Sequence, residues 1–254
     1  MNLEALLAHH LLDHSYVTLF SRGSFTLGVS RHLVAMWLIG AALAVLLAVA
    51  ARGRSGAGLL LRTVVEETVL YIRDRMVAPV FGPATAAYLP YFLTLFFFIL
   101  ACNLAGLLPG AAAVTGNISV TAALALCTFG LINLAGVKEY GIVSHFANFV
   151  PRGLPKVMAP LIFGIEAIGL CAKCLALCIR LFANIIAGHI VSLSFLSLIF
   201  IFGQISPYLG LGVAPAAIGL ALFVYALDLL VALIQAYIFT LLTALFVGGA
   251  VHPH

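Results

Sequence analysis

The sequence predicts an all-α integral membrane protein: about five membrane-crossing helices plus one interfacial amphipathic helix, the last two spans long, strongly tilted and paired as an antiparallel hairpin. Three observations predict it. Apolar residues make up 64% of the 254 positions and charged residues 8%, too few polar groups to cover a water-facing surface. Apolar runs of about 20 residues recur, the length that crosses a hydrocarbon layer about 30 Å thick. Two further runs near the carboxyl end are much longer than a single crossing needs.

The chain reads as one membrane domain, 1–254. Residues 1–32 form a mixed outside or interfacial segment, in which the close set His9, His10, Asp13 and His14 reads as interfacial polarity rather than a metal site. With no basic start followed by an apolar core, the first helix is expected to act as the insertion signal. That span, 33–51, ends in Arg52-Gly53-Arg54, a cytoplasmic marker. Segment 59–80 interleaves Arg62, Glu66, Glu67, Arg73, Asp74 and Arg75 with apolar residues, the pattern of a helix lying in the interface. The Phe-rich span 88–109 is stopped by Pro109-Gly110, and the span 117–137 is closed by Lys138-Glu139. The loop between them is uncharged, as expected outside, whereas 138–156 carries Lys138, Arg152 and Lys156 and belongs inside. Only Arg22 and Arg31 then fall outside. From 157 to 203 no turn cluster interrupts the run, so it reads as one helix. About 46 residues at 1.5 Å each make a rod of about 69 Å, which fits a bilayer only when tilted. Pro207, Gly210, Gly212 and Pro215 are expected to turn the chain into the last long helix, 215–248.

The net charge of +4 is no nucleic-acid signal, because its cations sit between apolar segments. Cys102, Cys127, Cys171, Cys174 and Cys178 all lie within apolar runs. Cys171 and Cys174 have C-x-x-C spacing but no second pair, so the cysteines read as small packing residues, with no metal and no cofactor expected.

The charges inside the long runs carry the chemistry. Arg180 stays protonated, and a guanidinium at bilayer depth costs at least about 2.5–3.5 kcal/mol. Glu166, Lys173 and Arg180 recur every seven residues on nearly one face, with Asn184 one turn beyond. In the last helix Asp228 and Gln235 are also seven apart. Antiparallel pairing sets Arg180 opposite Gln235 and His189 near Asp228. Ala183, Ala187 and Gly188 thin the surface beside Arg180, so another helix can approach it. The bland alternative is internal pairing, Glu166 with Lys173 and His189 with Asp228. It serves Arg180 poorly, since Gln235 cannot neutralise it. His189 and Asp228 both titrate and can pass protons. A stand-alone proton or ion channel, or a secondary transporter, remains an alternative function, although transporters often show repeats or helices broken at the midplane. A haem-bearing or proteolytic membrane enzyme fits less well, for lack of a second axial histidine or a serine-histidine arrangement.

Ile179-Arg180-Leu181-Phe182-Ala183-Asn184 through Ala187-Gly188-His189, with Leu233-Ile234-Gln235-Ala236-Tyr237-Ile238-Phe239, closely resembles subunit a of the F-type ATP synthase. Asn103-Leu104-Ala105-Gly106-Leu107-Leu108-Pro109 and Phe149-Val150-Pro151 extend the match, and the order of segments agrees along the chain. The resemblance implies a non-catalytic stator subunit that passes protons to a rotating c-ring, with Arg180 facing the ring carboxylate and blocking a leak. It implies that Asn184, His189, Asp228 and Gln235 belong to the outside half-channel or support the arginine, and that Glu166, with Lys173 on its face, lies near the inside one. Partners so implied are the c-ring, peripheral-stalk subunit b and the remaining synthase, in a bacterial plasma membrane or, alternatively, a mitochondrial inner membrane. His189 and Asp228 exchange the acid and histidine of some members. Ala105 stands where an acid occurs in some relatives, and Cys174 where many have proline.

Overall fold

The computed structural model describes residues 15–22, 25–53, 56–108, 113–147, 149 and 158–251. The histidine cluster of residues 9–14, the Pro109-Gly110 stop, Arg54, Arg152 and Lys156 lie outside the described residues. The order of elements is β1 (Ser15–Arg22), β2 (Phe25–Ser30), α1 (Arg31–Arg52), α2 (Gly56–Ile72), a π turn (Arg73–Val77), α3 (Ala78–Phe81), α4 (Thr85–Gly106), α5 (Ile118–Tyr140), α6 (Ile142–Ala147), α7 (Ala159–Ile205) and α8 (Pro207–Val251). Five helical stretches are long and apolar enough to cross a membrane, among them α1, α5, α7 and α8. The fold class is that of an all-α membrane protein.

Two differences from the sequence expectation have physical causes. The first is that part of the 1–32 segment is an antiparallel hairpin, β1 with β2, Arg22 pairing with Phe25. Both stretches are rich in β-branched and aromatic residues, which suit a pleated strand, and a glycine lies between them. The second is that the turn before the last helix is far shorter than 203–215. Helix α7 runs to Ile205, and α8 begins at Pro207. The Ser206 carbonyl accepts from the amides of Leu209 and Gly210, both at 3.1 Å, and Pro207 occupies the first helical position, where its missing N–H is not needed. Gly210 has a different task from turning: a Cβ there would lie 2.7 Å from the Gly203 Cα, so its bareness lets the two helices meet. Helix α7 is continuous through both Cys174 and Arg180.

The residues group into two compact units. The first comprises 1–44, 98–118 and 181–236. Its centre is tied by Asn103, which is fully buried; its Nδ2 donates to the Ala232 carbonyl at 3.3 Å, and its Oδ1 accepts from the Thr115 hydroxyl at 2.9 Å. One amide side chain thus secures α4, the turn after it and α8.

The second unit comprises 45–97, 119–180 and 237–254. Its π turn keeps Ile72, Met76, Val77 and Phe81 buried while Arg73, Asp74 and Arg75 stay exposed, an amphipathic division suited to an interface. Phe81 stacks on Tyr88 with ring centres 4.5 Å apart and meets Phe92 at 5.5 Å. Helix α5 is stopped by Gly141, whose φ of +79° is the left-handed cap conformation, and its amide bonds the Val137 carbonyl at 2.8 Å. The Tyr140 hydroxyl donates to the Val251 carbonyl at 2.7 Å, joining the end of α5 to the end of α8.

Candidate functional site

Helix α7 carries polar groups in two surroundings. Arg180 is exposed, and so are Ala183 and Ala187 on its side of the helix. Neighbouring Ile179 and Leu175 are also exposed, so the guanidinium stands on an apolar surface. Among the described residues Arg180 enters no ion pair or hydrogen bond. In a hydrocarbon layer a guanidinium without a partner is costly.

Seven residues before Arg180, in the second unit, Lys173 Nζ lies 3.7 Å from Glu166 Oε1 and 5.7 Å from the centre of the Phe246 ring. Both side chains are about half exposed. The seven-residue spacing therefore yields a salt bridge between its first two members and leaves the third without one.

Within the first unit, Leu107, Asn184, Ile185, His189, Ser192, Tyr225 and Asp228 surround a small polar cavity of about 10 Å³. Asn184, Gly188 and Ser192 follow one another at four-residue steps, a single ridge on α7. Gly188 is where Asp228 enters: a Cβ on it would lie 2.6 Å from Asp228 Oδ1 and 2.7 Å from its Cγ. The missing side chain makes room for the carboxylate of α8. His189 and Asp228 thus line one cavity, and Asn184 joins them there. Gly188, read from sequence as part of the bare surface beside Arg180, instead faces α8.

Gln235, also in the first unit, is buried, and its Nε2 has no hydrogen-bond partner among the described residues. Ser192 and Tyr225 were not singled out in the sequence. The four-residue ridge through Asn184 and Gly188 is the signal that reaches Ser192, and the three-residue step back from Asp228 reaches Tyr225. Among the described residues no three histidine, cysteine or acidic side chains come together as a metal site.

The chemistry available is therefore, in the second unit, a cation with no ion pair among the described residues and, in the first, a half-buried acid and imidazole lining one cavity. The sequence model of the ATP synthase A chain matches residues 33–248. The ATP synthase subunit a of Chloroherpeton thalassium is 40% identical over 236 residues, covering 90% of this chain and 68% of the relative. The same subunit of Anaeromyxobacter dehalogenans strain 2CP-C is 40% identical over 235 residues, covering 91% of this chain and 60% of its own length. That of Myxococcus xanthus is 37% identical over 242 residues, covering 91% and 77%. A match running from the first span almost to the carboxyl end, and including Arg180, His189 and Asp228, places the family beyond a local likeness: the chain belongs to the ATP synthase A chain family.

Proposed function

We propose that the protein is the stator subunit of a rotary ATP synthase, offering two offset proton half-channels to a ring of c subunits and so coupling proton flow to rotation and ATP synthesis. Run backwards, the same coupling pumps protons at the expense of ATP. The observation that carries the reading is Arg180: a permanent cation, exposed on an apolar face between small residues, that forms no ion pair with an acid among the described residues.

Electrostatics supply the mechanism. A proton enters from outside past His189 and Asp228, with Asn184 continuing the path, and neutralises a ring carboxylate so that it can turn into lipid. After almost a full rotation that carboxylate meets the inside passage, near Glu166 and its partner Lys173, and releases the proton. The returning anion then passes Arg180, whose charge favours the deprotonated form and repels any proton moving directly between the two passages. Gln235 takes the supporting role toward the arginine that the family resemblance implies. Each charge crossing the membrane contributes about 2.3 kcal/mol per 100 mV, so several protons drive each ATP. The other partners are peripheral-stalk subunit b and the remaining synthase, in a bacterial inner membrane. The unbroken course of α7 and α8 favours this reading over a transporter, whose substrate sites are commonly built from broken helices.

The test is Arg180→Ala in the intact synthase. Proton-driven ATP synthesis in membrane vesicles should be lost while the complex assembles in normal amount. Coupled synthesis near the unmodified rate would refute the assignment.

A further inference from the structure

Ser192 is a polar residue that the proton path as described leaves without a role. It is 4% exposed, and its Oγ is buried with no hydrogen-bond partner among the described residues. An orphaned buried hydroxyl is costly, and the serines just beyond it avoid that state. Ser194 Oγ donates to the Ile190 carbonyl and Ser197 Oγ to the Ser194 carbonyl, both at 2.7 Å. Bonding back to its own helix is the usual resort of a serine in apolar surroundings. Ser192 instead lines the cavity shared with Asn184, His189, Tyr225 and Asp228.

The size and lining of that cavity point to what the hydroxyl meets. Its volume of about 10 Å³ is close to the roughly 10–15 Å³ that accommodates one water, and a buried water needs about two to four polar partners. The walls offer that many. Ser192 also stands one helical turn beyond Gly188, the residue against which the Asp228 carboxylate packs, and lines the same cavity as that carboxylate. We propose that Ser192 is a positioning residue of the outside proton path, its hydroxyl holding a single water beside the Asp228 carboxylate so that protons reach the acid through that water. The water gives one proton to the carboxylate as it takes another from the outside, and is unchanged after each transfer. Ser192 itself never ionises; its oxygen fixes where the water sits. The inference rests on the reading of this cavity as the outside half-channel.

The test uses membrane vesicles carrying the whole synthase, with ATP-driven proton pumping measured per assembled complex. Ser192→Ala should pump about fivefold more slowly, the scale of one buried hydrogen bond, with an enlarged solvent deuterium isotope effect. Ser192→Thr, which keeps the hydroxyl, should pump within about twofold of the unmodified protein. Should the alanine variant assemble poorly, Ser192→Cys keeps the volume but weakens the hydrogen bond, and should likewise pump more slowly than the threonine variant. An alanine or cysteine variant as fast as the parent overturns the proposal, as does a threonine variant as slow as alanine, which would indicate packing. Asp228→Asn separates the two levels of argument. If it slows pumping while Ser192→Ala does not, only the water site is lost; if it pumps normally, the cavity is not the path and both readings fail.

Discussion

Gly188→Ala perturbs the site by a single methyl group. The new Cβ would stand 2.6 Å from Asp228 Oδ1 and closer still to Oδ2, where ordinary contact begins at 3.4 Å, so the carboxylate must retreat by at least about 0.8 Å. Overpacking of this kind costs about 1–3 kcal/mol. Alanine returns up to about 1 kcal/mol of helix propensity, and with that returned in full the net loss is about 0–2 kcal/mol. The displacement matters more than the stability. Moving a reacting group by about 1 Å can lower a rate about a hundredfold, so proton pumping should fall tenfold or more while the synthase still assembles. Gly164→Ala is the control, on the same helix but on the side away from Arg180, where an added Cβ meets nothing within 4 Å. It should be neutral or slightly stabilising. Pumping rates and thermal unfolding of the two variants, measured side by side in vesicles and in detergent, decide the matter. If Gly188→Ala behaves like Gly164→Ala in both, the carboxylate is not held against Gly188.

Asn103→Leu should destabilise the protein by about 1–3 kcal/mol, because it leaves the fully buried Thr115 hydroxyl without its acceptor. Adding Thr115→Val should recover part of that loss, whereas simple additivity in the unfolding free energies would show that the pair does not interact. His145 provides a pH test. It is 2% exposed, its Nε2 lies 3.4 Å from Asn133 Oδ1, and burial holds its pKa below the ordinary histidine value. A histidine with a depressed folded pKa gives stability that is complete above about pH 6.5 and is lost as pH falls toward the folded value. His145→Gln should flatten the acid limb of the melting-temperature profile, and identical profiles would remove the histidine from the account.

The spans were legible because a bilayer imposes one rule on about 20 residues at a time, and 31–52 or 118–140 satisfy it almost without exception. Continuity of α7 through Arg180 was legible for the related reason that no breaker stands there. The turn at Ser206 was not, since Gly210 and Pro215 carry the same signal whether they bend a chain or lie within a helix. Only the approach of Gly203 shows which task Gly210 performs. The pairing of His189 with Asp228 followed from antiparallel numbering, which fixes level but not rotation. Gly188 exposes that limit: its level was right, while the side it faces depends on how α8 packs. Ser192 escaped notice because a serine in an apolar helix usually bonds its own backbone, and nothing local distinguishes it from Ser194. For Glu166 and Lys173 the blander alternative, internal pairing, is the one the structure carries, since the two side chains form a salt bridge.

The rotation of α7 bears on how a proton would leave the cavity. At about 100° per residue, Asn184 lies about 40° around the helix from Arg180, Gly188 about 80° and Ser192 about 120°. The four-residue ridge therefore winds from the enclosed polar side toward the exposed face, and half-buried Asn184 is its member nearest the arginine. On the proposed reading this geometry makes Asn184 the exit of the outside passage, since any partner carboxylate drawn to Arg180 comes within one turn of it. On the same proposed reading Ala183 and Ala187, both exposed, lie where the partner passes, and half-buried Asn184 lies at the edge. A bulky residue at Ala187 should thus obstruct rotation without disturbing the cavity, whereas loss of the Asn184 amide should slow the hand-over to the ring and leave rotation free.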